Sequence, residues 1–319
     1  MSTQKDYSSI IFSPEDVGIL GSKYLEERRS NNGMGVKVGL RDLDEHLLPL
    51  FPGELMSVIA RPGNGKTGFM VYWARTRAAW LRSKNITNRV VVYITLEQSI
   101  EELNAFNVAA DNRLSITNMA KGDITDDEWV VCLKHAINRR FVPLWNIGYS
   151  SMTDRKQIKI DADAIEGAIK IIAESNIIDM VYVDYLQRMP TDSRSDSKTI
   201  GVSDNLDALK TISQQTSRSP MVVGVQAKRE VDQTEDKIPG LDDGQWTSNI
   251  EQTSDKILSL MRPSNYFTDG DMVGKTRIIG KRQMLISLIK QKLGPANIPV
   301  WAYFDPEYNK LDELEIEHA

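Results

Sequence analysis

An α/β domain on a mainly parallel β-sheet, prolonged by antiparallel strands near its C-terminal end, is the fold class this sequence predicts. Three observations point there. Apolar, β-branched runs recur from residue 55 onward, several of them continuous rather than alternating, as strands buried on both faces require. Helical patterns separate the early runs, as parallel strands joined by crossovers demand, whereas the last runs follow one another without helices. The first run also ends in a glycine-rich loop that opens directly into a helical pattern.

Residues 1 to about 15 are polar. "PEDVGILGSKYLEERRS" then sets Pro14 before an acidic first turn and spaces Val17, Leu20 and Leu25 among charges, the pattern of a short amphipathic helix. "NNGMG" breaks it, so residues 1–35 are expected to be a tail and linker helix, hinged to a domain spanning 36–319. That helix either packs on its own domain or docks on a neighbouring subunit. Strands are expected at 55–60, 90–95, 177–183, 221–226, 255–261, 283–290 and 299–305, and helices near 67–83, 98–112, 125–139, 161–175 and 202–216. Asp179 interrupts its apolar run and is expected to face outward. The polar segments 191–204 and 229–249 read as long loops, which in a compact domain are functional or disordered. Trp73, Trp80 and Trp301 read as packing residues.

Composition narrows the function classes. The chain has 319 residues, 41% of them apolar, enough for a real core, and its net charge of −5 lacks the basic footprint of a protein that coats nucleic acid. Nucleic acid gripped by a few loops, or by the lumen of a ring, stays open. Cys132, the single cysteine, excludes an intramolecular disulfide framework and suits a reducing cytosol, bacterial or of a virus's host. No apolar run approaches a membrane span, and the N-terminus has no signal-peptide pattern, so no membrane association is expected. His135 shares a helical pattern with Cys132, but no further cluster offers metal-ligand spacing.

The stretch "ARPGNGKTG", residues 60–68, carries the chemistry. Gly63 and Gly65 let the backbone of Arg61, Pro62, Gly63, Asn64, Gly65, Lys66, Thr67 and Gly68 curl so that its N–H groups face nucleoside phosphates. Lys66 would reach the β- and γ-phosphates of ATP, and the Thr67 hydroxyl would ligate Mg²⁺. The helix that follows adds its positive N-terminal end. In "IIDMVYVDYLQ", Asp184 closes an apolar strand, where it would hold the metal through water. Glu97, at the end of "VVVYITLEQS", is either the residue that orients the attacking water or an ordinary acidic residue at a helix start beside Thr95 or Ser99. Gln226 closes "VVGVQ" as a neutral group able to sense the γ-phosphate.

These elements, in this order, resemble the ATPase domain of the DnaB-type replicative helicases, hexameric members of the RecA-like superfamily. The likeness runs over nearly all of residues 15–310: "VGLRDLDEHL" with "PGELMSVIARPGNGKT", "YITLEQSIEEL", "GDITDDEWVVCLKHA", "VDYLQRM", "PMVVGVQAKREVD", "NIEQTSDKILSLMR" and "IKQKLGPAN". The resemblance implies a RecA-like ATPase domain over 36–319, with Lys66, Thr67, Glu97, Asp184 and Gln226 in their family roles. The family's arginine finger is Lys292 here, in Lys290-Gln291-Lys292 before Gly294-Pro295. Lysine keeps the charge without the bidentate fork, so hydrolysis is expected to be slow or conditional, with Lys290 able to share the task. Plain surface lysines are the alternative. In the DNA-facing loop, Gln245, Trp246 and Ser248 stand where family members carry an Arg-Glu-Ser-Gly-like run, near Lys228 and Arg229. Ser248 and backbone N–H groups would bind phosphates. Trp246 either stacks on a base or packs against the domain.

The resemblance further implies a homohexameric ring that drives single-stranded DNA through its centre, 5′ to 3′. The family's N-terminal collar, which meets primase, is not found in the fourteen or so residues before the linker helix, so a separate loader or primase-like partner is expected. A nucleotide-gated assembly platform with slow turnover, and a filament-forming, recombinase-like DNA binder, stay open as alternatives.

Overall fold

In the computed structural model, which describes residues 11–30, 35–153, 158–191, 198–241, 247–273, 276–278 and 280–314, α1 (Pro14–Ser30) and a short α2 (Arg41–Asp44) precede β1 (Leu55–Ala60) and α3 (Lys66–Ser83). Next come β2 (Arg89–Thr95), α4 (Ile100–Asn112), α5 (Ile116–Lys121), α6 (Asp126–Asn138), β3 (Leu144–Ile147), α7 (Ala162–Ala173) and β4 (Ile177–Asp184). They are followed by α8 (Lys198–Thr211), β5 (Met221–Gln226), α9 (Thr247–Thr253), β6 (Lys256–Met261), a hairpin of β7 (Met272–Val273) and β8 (Thr276–Arg277), β9 (Gln283–Gln291), β10 (Ile298–Asp305) and β11 (Lys310–Glu313).

Among the described residues one sheet has nine strands in the order β11-β10-β9-β6-β1-β5-β4-β2-β3. From β6 to β3 every neighbouring pair is parallel, and β6-β9-β10-β11 is antiparallel, as the helix-free spacing of the last runs predicts. The parallel strands are continuously apolar because both faces are covered. Phe69, Met70 and Trp73 of α3 cover one face, and Ile165 and Ile169 of α7 with Leu206 and Leu209 of α8 cover the other. Each such buried side chain contributes about 1.5–3 kcal/mol. α7 shows the local logic: the Asp161 carboxylate accepts from the Ala164 N–H and starts the helix, and Ile165, Ile169 and Ile172 make its buried stripe.

Several expectations need correction. Asp179 does not face outward: a register shift where Val90 and Val91 pair with β4 turns it inward, and its carboxylate pairs with Arg77 of α3 at 2.6 Å and Arg89 at 3.3 Å. β3 and β11 are strands the sequence reading left out. The stretch 191–204 is not loop throughout, because α8 begins at residue 198. The stretch 229–249 contains a 3-10 turn, Arg229–Gln233, and the start of α9. α1 forms as expected. Ser13 and Asp16 cap it reciprocally, and among the described residues Val17, Leu20 and Leu25 are exposed.

Candidate nucleotide site

The parallel strands deliver the sequence-predicted residues to their carboxyl ends, the usual place for a ligand in such sheets. Register puts Ala60 opposite Gln226 and Thr95 opposite Asp184, so the loop after β1, the end of β4, the end of β5 and the turn after β2 converge. Residues 60–68 apart from Asn64, together with Glu97, Gln226 and Tyr185, line a cavity of about 300 Å³. A larger cavity of about 740 Å³ lies between α3, α4 and α6. Size alone would favour it, but the phosphate-binding chemistry sits in the smaller one.

Gly65 turns the loop into α3 at φ 83°, and a Cβ there would stand 2.6 Å from Met284 Cε. The left-handed φ favours glycine, whereas the flexible Met284 side chain could give way. No side chain caps α3, so its first N–H groups are open to an anion. The Thr67 hydroxyl donates to Asp184 Oδ2 at 2.7 Å, and the Tyr93 hydroxyl donates to the same oxygen at 3.0 Å. Asp184 Oδ1 has no hydrogen-bond partner and faces the Lys66 ammonium at 3.4 Å. Gly224 on β5 leaves room for that pair, since a Cβ would lie 3.2 Å from both Asp184 Oδ1 and Lys66 Cδ.

Burial drives the Lys66 amine below its ordinary range, against the pull of Asp184 and Glu97. Its Nζ also lies 3.5 Å from the Tyr185 ring centroid. Burial, reinforced by Asp184, pushes Tyr93 well above its usual range, so it stays a hydroxyl donor. A buried carboxylate oxygen without a hydrogen-bond partner, beside a threonine hydroxyl, fits a small divalent cation held by few protein ligands. Among the described residues no group of three or more His, Cys, Asp or Glu side chains offers a different metal site.

Glu97 stands free of the helix cap: Ser99 and Glu102 cap α4 reciprocally, leaving Glu97 paired loosely with Arg188 at 3.5 Å on the rim of the cavity. Gln226 exchanges backbone bonds with the Gln187 side chain. Arg61 lines the cavity, but its guanidinium is bonded to Asp232 and to the Ala227 carbonyl.

Lys290 and Lys292 lie at the other end of the sheet, where Lys256 pairs with Gln291 beside the start of β1. The six residues of β1, at about 3.3 Å each, hold the two ends roughly 15–20 Å apart. The Lys290 ammonium donates to the carbonyls of Glu251 and Ser254, which commits it to its own chain. Lys292 is 70% exposed, with Asp255 at 3.9 Å. Lys228, Arg229 and Ser248 all follow the carboxyl end of β5, with Arg229 and Ser248 exposed. Gln245 and Trp246 lie outside the described residues.

Sequence reasoning missed Tyr93, Tyr185, Gly224 and Arg188. The signal for Tyr185 and Arg188 was their place directly after Asp184 in "VDYLQR". Tyr93 and Gly224 had none, since each sits inside an apolar strand and acts through a residue distant in sequence.

Residues 35–313 match the model of the DnaB-like helicase C-terminal domain. The chain is 26% identical over 290 residues to the replicative DNA helicase DnaB of Buchnera aphidicola subsp. Schizaphis graminum, covering 88% of this chain and 56% of that protein. It is 25% identical over 316 residues to DnaB of Geobacillus stearothermophilus, covering 98% and 64%. Against the replicative DNA helicase DnaC of Bacillus subtilis it is 25% identical over 315 residues, again covering 98% and 64%. The chain thus spans between about half and two thirds of the length of these relatives. Two solved structures share the fold. One, a DnaB-like replicative helicase studied for its interactions with primase, has a TM-score of 0.75 at 20% identity, covering 98% of this chain and 68% of that one. The other, an ATPase domain, has a TM-score of 0.76 at 21% identity, covering 95% and 100%. Among the described residues no helix is long and apolar enough to cross a membrane.

Proposed function

Because the chain belongs to the DnaB-like helicase C-terminal domain family, we propose that it is an ATP-driven motor that moves along single-stranded DNA as a homohexameric ring and separates the duplex ahead of it. The observation that carries this reading is the split between the two ends of the sheet. Lys66, Thr67, Glu97 and Gln226 line the cavity and Asp184 backs Thr67 and Lys66, while the exposed cation Lys292 stands too far away to serve its own chain. A finger at that place would reach a phosphate only across a subunit boundary, in a head-to-tail contact that forms a ring where the rotation closes.

Mg²⁺ would be held by Thr67 and, through water, by Asp184. Bound there, it neutralises charge on the phosphates. Lys66 and the loop N–H groups would hold the β- and γ-phosphates, and Glu97 would orient the attacking water and take its proton. Gln226 would feel the γ-phosphate and pass its state to residues 227–249, where Lys228, Arg229, Gln245, Trp246 and Ser248 would meet DNA. Residues 36–319 would be the ATPase unit and 1–35 the tail and linker. Arg28 pins the end of α1 to its own domain through Glu54 at 3.1 Å, while the apolar face of α1 stays exposed for a neighbouring subunit. A loader or primase-like protein would be the further partner.

The test is ATP turnover by the purified protein with and without single-stranded DNA, with Lys66→Ala as the blank. Strong stimulation by the strand is expected. A low rate indifferent to DNA would instead favour a nucleotide-gated platform, the reading that the fork-less Lys292 supports.

A further inference from the structure

The phosphate loop is strapped to the segment that follows β5. Arg61 donates from Nε to both carboxylate oxygens of Asp232, at 3.1 and 3.0 Å, and from Nη2 to Oδ2 at 2.7 Å. Its Nη1 donates to the Ala227 carbonyl at 3.1 Å. One guanidinium therefore grips both ends of the stretch 227–232. Asn64, three residues along the same loop, makes a second route to the same carboxylate. Its Nδ2 donates to the Tyr266 hydroxyl at 2.9 Å, which in turn donates to Asp232 Oδ1 at 3.2 Å.

The arrangement is selective. A planar fork on a carboxylate fixes orientation as well as distance, so movement of one partner is transmitted to the other rather than absorbed. The Arg61 side chain is 13% exposed and that of Asp232 38%, so the directionality of the pair comes from the geometry of its several bonds rather than from burial. Asp232 lies in a 3-10 turn, Arg229–Gln233, whose one buried side chain is Val231. The Ala227 N–H also donates to the Ala60 carbonyl at 2.9 Å and Val231 is fully buried, so the stretch is anchored at its start and middle while Arg61 and Tyr266 hold the Asp232 carboxylate itself. Gln226, immediately before this stretch, lines the same cavity as Lys66. The loop that would feel the phosphates and the segment that leads toward the residues assigned to DNA thus share one carboxylate.

We propose that Asp232 is the positioning residue that couples the phosphate loop to segment 227–241, so that the nucleotide state of the loop sets the conformation of that segment. Only the extension of this coupling to DNA rests on the motor reading above.

The test is hydrogen exchange over 227–241 in the intact protein, with and without a non-hydrolysable ATP analogue and Mg²⁺, comparing wild type with Asp232→Asn at equal saturation. The expected result is a severalfold, nucleotide-dependent change in wild type that is lost in the variant. An unresponsive wild-type segment overturns the proposal. So does a variant that exchanges faster throughout yet keeps the nucleotide response, because the bond is then only structural. A second arm measures turnover. Asp232→Asn should keep its DNA-independent rate while stimulation by single-stranded DNA falls about fivefold or more, within the range of ordinary coupling free energies. If exchange behaves as expected but wild-type turnover ignores DNA, the coupling stands and the motor reading falls.

Discussion

The two ends of the parallel strands use charge in opposite ways. At the carboxyl end, Asp184 leaves one buried oxygen without a hydrogen-bond partner, Lys66 is held below its ordinary range by burial, and the first turn of α3 has no side-chain cap. Those are the costs of a site built for a charged ligand. At the amino end, Glu54 pairs with Arg28 and Lys256, and Asp255 with Lys210, so buried charge is largely satisfied, while Lys292 projects. On the proposed reading, one end would be half of an active site, and the other a braced mount for the half that a neighbour needs.

The largest expected effect breaks the carboxyl end. Lys66→Ala removes the ammonium that would reach the β- and γ-phosphates, and steady-state turnover should fall to background, on the order of 10²–10³-fold or more, as loss of a preorganised charge donor does. Lys292→Ala should nearly match it. Turnover should drop on the order of 10²-fold, below the 10³–10⁵ of a true arginine finger, while a fluorescent ATP analogue binds as in wild type. Near-normal turnover would make Lys292 a plain surface lysine. Lys292→Arg sharpens the same point, because a restored fork should raise the turnover number.

Lys256→Met tests the amino end as brace. Its ammonium is buried against Glu54. Denaturant unfolding should show a loss of about 2 kcal/mol, less than the usual 3–5 for breaking a buried pair because Arg28 still meets Glu54, with nucleotide affinity unchanged. Tyr93→Phe should give the smallest effect. It removes one of two hydroxyls that orient Asp184, worth about 1 kcal/mol, so the Mg²⁺ concentration needed for half-maximal nucleotide binding should rise roughly 3–10-fold with little change in binding without Mg²⁺.

The sequence is most informative where one local segment carries both the signal and the chemistry. The phosphate loop, Asp184 and Gln226 each close or follow an apolar run, so strand ends alone predict that they meet. Asp179 was misread because alternation assumes an unbroken register, and the irregularity opposite Val90 and Val91 reverses its direction. β3 was missed because "LWNI" is short, half exposed and preceded by Pro143. Tyr93 looked like one more apolar strand residue, because its acceptor lies 91 residues away, and the bond from the Arg61 guanidinium to Asp232 left no signal, because the two lie 171 residues apart. Contacts between strands distant in sequence leave no local pattern.

The division of one site between two chains is the central claim, and mixing inactive subunits tests it most directly. Lys66→Ala and Lys292→Ala proteins, each shown to assemble, would be combined and their ATP turnover measured. Recovery well above either protein alone is predicted, because some boundaries then join an intact phosphate loop to an intact finger. A mixed assembly as inactive as its parents would contradict the account.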